Sequence, residues 1–98
     1  PDNIAMGADG SIYVADADNF RIRKVETDGI ITTIAGNGIR GYKDGHWKTA
    51  MFAYPTGVAV DKDGNVYVAD RGSHSIRKII PEGKKEITYN SLWVSKVD

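Results

Sequence analysis

Apolar and polar positions alternate along this chain in short pulses broken by glycine-bearing turns. Asn3 to Met6, Ser11 to Ala15, Arg21 to Val25 and Ile30 to Ala35 are runs of ordinary strand length, and the same order returns at Gly57 to Val60, Asn65 to Ala69 and Ser75 to Ile79. Between and beside them stand Asp9-Gly10, Asp28-Gly29, Asp44-Gly45, Asp63-Gly64 and Glu82-Gly83. Asp-Gly between alternating segments predicts tight hairpins, of type I′ where both central residues take positive φ. Within the run ending at Ala15, Ile12 and Val14 face one way and Tyr13 and Ala15 the other, so both sides of the strand are apolar. A strand buried on both faces belongs to a sheet packed between neighbouring sheets.

The order of pulses is an internal repeat. A shift of 54 residues places Pro1 on Pro55, Asp9-Gly10 on Asp63-Gly64, Tyr13-Val-Ala-Asp16 on Tyr67-Val-Ala-Asp70, and Ile22-Arg-Lys24 on Ile76-Arg-Lys78. Twelve of the 29 positions paired this way (1–29 with 55–83) are identical. A recurring unit of short strands with hairpin turns predicts propeller blades, and the excess length of the repeat falls in Gly36 to Tyr54.

Two motifs compete with that reading. Gly36-Asn-Gly-Ile-Arg-Gly41 follows a β-branched run and has Asp61 20 residues beyond it, which are the parts of a dinucleotide fingerprint. That fingerprint needs a helix to start at its glycines, and Tyr42-Lys-Asp-Gly45 breaks any such helix. Asp61 also belongs to a repeated turn, so the glycines read as a loop between blades. Asp61-x-Asp63-x-Asn65 resembles the start of an EF-hand loop, but Gly64 stands at position 4 and Gly72 at position 12, where a bidentate Glu is needed.

The residues Pro55-Thr-Gly-Val-Ala-Val-Asp-Lys-Asp-Gly-Asn-Val-Tyr-Val-Ala-Asp70, followed by Ser73-His-Ser-Ile-Arg-Lys-Ile79, closely resemble the NHL repeat. Residues 1–36 resemble a second copy, with Asn19-Phe-Arg-Ile22 standing for the repeat's Asn-His-Arg-Ile. The resemblance implies an all-β protein of four-stranded antiparallel propeller blades, two in this chain, within a propeller that is commonly six-bladed. The expected division is a first blade over 1–36, a linker over 37–54, a second blade over 55–90 and a tail over 91–98 that starts a further blade or is borrowed elsewhere. Lys84 to Asn90 is the expected, atypical fourth strand of the second blade. Two blades leave apolar faces open, which predicts either a fragment of a longer chain or self-association, for instance a trimer giving six blades.

Charge and composition narrow the function. Thirteen basic and thirteen acidic residues give a formal net charge of zero, which disfavours nucleic acid as a partner, and no apolar run is long enough for a membrane span. With no cysteine there is neither a disulfide framework nor a thiolate metal site. The linker's length resembles that of secreted or surface bacterial relatives, a lean toward that compartment. The turns between the second and third strands and the linker share one rim. There Phe20, Arg40, Tyr42, Trp47, Arg71 and His74 interleave rings with cations and are the candidate binding residues. Met51 and Phe52 are expected to plug the blade junction, with Trp47 either joining them or facing a ligand.

Asp16, Asp70, Gly10 and Gly64 are read as turn-forming, the aspartates by accepting backbone N–H groups of their own tight turns. Arg23 and Arg77, being repeated, are read as decoration of the outer strands. His46 and His74 lack any local metal-binding motif, and no catalytic residue, cofactor or metal is assigned. The favoured function is a non-catalytic platform for a protein, peptide or glycan. A metal-dependent NHL-type lyase or hydrolase and an RNA-binding NHL propeller are the alternatives.

Overall fold

The computed structural model describes residues 3–82 and 91–97. Among the described residues nine strands form two antiparallel sheets: β1 (Asn3–Met6), β2 (Ile12–Asp16), β3 (Arg21–Val25) and β4 (Ile31–Ala35) in order, then β6 (Pro55–Val60), β7 (Val66–Asp70), β8 (Ser75–Glu82) and β9 (Ser91–Lys96), with β5 (Gly45–His46) added outside β9. Each sheet is a meander of the propeller-blade kind, so the all-β blade architecture expected from the repeat is the one observed. The tail residues Ser91–Lys96 pair with β8 from Glu82↔Ser91 to Arg77↔Lys96 and thus hold the fourth place in the second sheet. The expected strand over 84–90 lies outside the described residues.

The Asp-Gly hairpins differ from the expected type I′. Only the glycine has positive φ, 88° at Gly10, 92° at Gly29 and 87° at Gly64. In each turn that glycine donates to the carbonyl three residues back, with Gly10 to Gly7 at 3.0 Å, Gly29 to Glu26 at 2.9 Å and Gly64 to Asp61 at 3.1 Å. This is a type I turn closed by a left-handed glycine, which leaves aspartate in ordinary backbone space. In the first two turns the aspartate accepts the N–H two residues on instead, Asp9–Ser11 (2.9 Å) and Asp28–Ile30 (3.0 Å), while in the third Asp61 accepts the Asn65 N–H at 2.9 Å.

Register divides each sheet into two unlike faces. Ile4, Met6, Ile12, Val14, Asp16, Arg23 and Val25 share the front of the first sheet, and Ala5, Tyr13, Ala15, Ile22 and Lys24 its back. Their counterparts 54 residues on divide the same way in the second sheet. The back of the first sheet packs on the front of the second. Tyr13, Ala15, Ile22 and Ala35 meet Val58, Val66, Val68, Ile79 and Val94 in one core, into which the linker inserts Ala50 and Phe52. The innermost strands are also tied by Val58 N–H donating to Asn3 Oδ1 at 3.1 Å. The two outer faces carry the same residue types with no partner sheet among the described residues: Ile22 is 0% exposed, whereas its counterpart Ile76 is 47% exposed.

Candidate functional site

The linker is a folded hairpin. Lys43 and Met51 exchange backbone hydrogen bonds at 3.2 and 3.0 Å, and Gly36, Asn37 and Gly41 donate to the carbonyls of Trp47, Ala50 and Phe52 at 3.0, 3.0 and 3.1 Å. Its opening glycines admit the chain's own atoms. A Cβ on Gly36, whose φ is 106°, would lie 2.5 Å from the Phe20 carbonyl oxygen. A Cβ on Gly38 would lie 2.5 Å from the Arg21 guanidinium. The glycine-rich stretch is therefore a packing device between blade and linker, as the loop reading expects.

The hairpin closes around Arg77, which is wholly buried. Its Nε donates to Asp44 Oδ1 at 3.1 Å, Nη1 to Asp70 Oδ2 and the Met51 carbonyl at 2.9 Å each, and Nη2 to Asp44 Oδ1 and the Lys43 carbonyl at 3.0 and 2.8 Å. All five donors of the guanidinium are used. The Tyr42 and Phe52 rings cover it with centroids 4.4 and 4.6 Å from Cζ. Asp70 in turn accepts the backbone N–H groups of Ala53 and Tyr54 at 3.0 and 2.7 Å. So Arg77 does not decorate an outer strand, and Asp70 holds the linker rather than its own turn, which has no side-chain cap. A buried cation with every donor matched, opposite a buried carboxylate likewise matched, is the arrangement that makes such burial affordable.

The same positions in the first sheet are only half built. Arg23 approaches Asp16 at 3.9 Å, and its Nε is buried with no acceptor among the described residues. Asp16 accepts Asn19 Nδ2 at 3.1 and 3.0 Å. The tyrosine–lysine pairs do repeat in full, with Lys24 Nζ 5.5 Å from the Tyr13 ring and Lys78 Nζ 5.4 Å from the Tyr67 ring.

The candidate binding residues separate into groups. Phe20 and His74 occupy one repeat position and both adopt left-handed backbone, φ 55° and 54°, directly after the short 3-10 turns Ala17–Asn19 and Arg71–Ser73. Recurrence in both copies makes that strain part of the turn. Arg71 and His74 border an open depression of about 310 Å³ with Ala69, Asp70, Ser75 and Ile76. Its apolar floor, Ala69 and Ile76, corresponds to Ala15 and Ile22, which the neighbouring sheet covers in the first copy. Tyr42 is drawn into the Arg77 cage. Its hydroxyl contacts Asp44 Oδ2 at 3.3 Å and titrates above its ordinary 10.0, through desolvation first and the Asp44 carboxylate second. Trp47 is half-buried against the core, stacked on His46 at 5.9 Å and approached by Lys48 Nζ at 5.4 Å. Arg40 is exposed. Phe52 is fully buried and Met51 partly so. Among the described residues no three His, Asp or Glu side chains gather as a ligand set for a metal ion, and no helix is long and apolar enough to cross a membrane.

Comparison with known proteins agrees with this blade anatomy. Residues 52–79 match the NHL repeat model. The chain is 36% identical over 80 residues to Protein SUPPRESSOR OF QUENCHING 1, chloroplastic, of Arabidopsis thaliana (81% of this chain, 8% of that protein). It is 33% identical over 99 residues to NHL repeat-containing protein 2 of Gallus gallus (100% and 14%), and 32% identical over 106 residues to Teneurin-m of Drosophila melanogaster (91% and 4%). A solved structure of a structural genomics protein of unknown function from Bacteroides thetaiotaomicron superposes with a TM-score of 0.76 at 26% identity, over 97% of this chain and 21% of that one. The chain belongs to the NHL-repeat family. It spans only a small part, at most about a seventh, of the length of these three curated relatives.

Proposed function

We propose that the chain supplies two blades of a larger propeller, six-bladed when complete, and acts as a non-catalytic platform that holds a protein, peptide or glycan on the rim bearing the linker. One observation carries this reading. The repeated pair of the second blade, Asp70–Arg77, is used in holding sheet and linker together, whereas unrepeated linker residues stay accessible. Tyr42 remains 47% exposed while capping Arg77, Arg40 and Lys48 are exposed, and Trp47 keeps part of its ring open beside His46. Rings backed by cations offer stacking and charge together, which suits a peptide or sugar face.

A displayed peptide library selected on the folded chain tests it, with Arg40→Ala/Trp47→Ala as the counter-screen. The reading requires peptides that lose at least tenfold in affinity on the double variant. Enrichment indifferent to those two residues, with circular dichroism showing the variant folded, contradicts it.

A further inference from the structure

The cage around Arg77 shows what its repeat position is built to receive. One aspartate carboxylate, two backbone carbonyls and two rings from the 42–52 hairpin surround the guanidinium, while two further backbone N–H groups of the linker bind Asp70. Arg23 stands at the identical position of the first sheet with its Nε buried and unmatched among the described residues, and with Asp16 Oδ2 3.9 Å from Nη1. Around it the front face lies open, with Ile4 62%, Met6 71% and Ile31 59% exposed. A buried donor without an acceptor is costly, and native chains rarely keep one.

We propose that the Arg23–Asp16 part of the first sheet's front face is a docking site for a polypeptide hairpin of the same chemistry as residues 42–54. Such a hairpin sets a carboxylate on Arg23 Nε, carbonyl oxygens on the terminal nitrogens, a ring on either side of the guanidinium and two N–H groups on Asp16. Charge complementarity and the filled copy within the same chain both specify this occupant. Asn19, which now engages Asp16 at 3.0 and 3.1 Å, has Ser73 as its counterpart in the filled copy. The proposal rests on the equivalence of the two repeats and not on the rim reading above, so either can fail without the other.

The test joins a second copy of residues 36–54 directly before Pro1, so that a tyrosine precedes Pro1 as Tyr54 precedes Pro55. The expected result is a midpoint of thermal unfolding raised by about 5 °C or more. The Arg23 Nε–H resonance should also move toward the position of Arg77's. Carrying Asp44→Asn in the added copy alone should abolish most of both changes. A rise that survives that substitution is unspecific covering of apolar surface and overturns the proposal, as does an unmoved Arg23 signal. In the unextended chain, the synthetic peptide of residues 36–54 should shift Arg23 and Ile4 where sodium acetate at equal concentration does not. An equal response to acetate assigns the site to small anions and also overturns the proposal.

Discussion

Asp16–Arg23 and Asp70–Arg77 are one pair of residues written twice, and their surroundings make them different objects. In the second sheet the pair is buried at 2.9 Å and enclosed by a hairpin that satisfies the donors Asp70 leaves over. In the first it is stretched to 3.9 Å, partly open, and leaves one nitrogen without an acceptor among the described residues. The cation itself is therefore not the stabilising element. What makes it one is a linker that brings a carboxylate, carbonyls and rings to it, and this converts a surface ion pair of small value into a junction between blades.

The largest expected effect follows directly. Arg77→Leu strands Asp70 in the interior and should cost about 3–5 kcal/mol in urea unfolding. Arg23→Leu should stay within about 1 kcal/mol, the range of exposed pairs. Equal losses would erase the distinction. Asp44→Asn sharpens it, because it keeps the hairpin but weakens the charged bonds to Nε and Nη2. A loss of about 1.5–3 kcal/mol is expected by the same assay, toward the lower end because Asp44 is partly open. Gly36→Ala should cost about 1–3 kcal/mol, since a Cβ there meets a backbone carbonyl at left-handed φ; Gly29→Ala, which meets nothing within 4 Å, should lose less by thermal melting. His74→Gly relieves the left-handed backbone of an exposed residue and should change stability by no more than about 1 kcal/mol, in the stabilising direction.

The aspartates of the turns between β1 and β2 and between β6 and β7 give a comparison in pH. Asp61 sits below its ordinary 3.8 because it accepts Asn65 Nδ2 and the backbone N–H groups of Asn65 and Asp63, each at 2.9 Å. Asp9 is lowered by Ser11 in the matching turn. A depressed carboxylate contributes stability that is complete above its unfolded value and lost as pH falls through its folded one. Both turns should therefore loosen below about pH 4. Asp61→Asn should flatten that acid limb in a pH series of melting midpoints, and an unchanged limb would argue against the hydrogen-bonded carboxylate.

Strand positions, turn positions and the 54-residue repeat were legible in the sequence because each is local: alternation, Asp-Gly and identity all act within a few residues. The turn type was not, since Asp-Gly serves both type I′ and a type I turn ended by left-handed glycine, and only the N–H pairing of Gly10 and Gly64 distinguishes them. Arg77 was misread because repetition suggested an outer, solvated role. The available signal was alternation: Arg77 shares its face with Val68 and Ile79, so the pattern places a cation inside an apolar face and demands a partner. Asp70 meets the same demand from the same face. Asp44, Tyr42 and the carbonyls of Lys43 and Met51 lie 26 to 35 residues away, and no local rule connects them to Arg77. For the tail strand Ser91–Lys96 the sequence leaves two places open, a further blade or a borrowed strand, because its place is set by pairing with β8.

The central claim is that the linker hairpin, and not the repeated ion pair, distinguishes the two junctions. Nitrogen-detected or proton-detected NMR of the arginine Nε–H groups in the unaltered chain tests it most directly, with assignments from Arg23→Lys and Arg77→Lys. The account predicts an Arg77 signal shifted downfield by its bond to Asp44 and exchanging slowly with water. Arg23 should lie near the free-arginine position and exchange faster. Two signals alike in shift and exchange would contradict it.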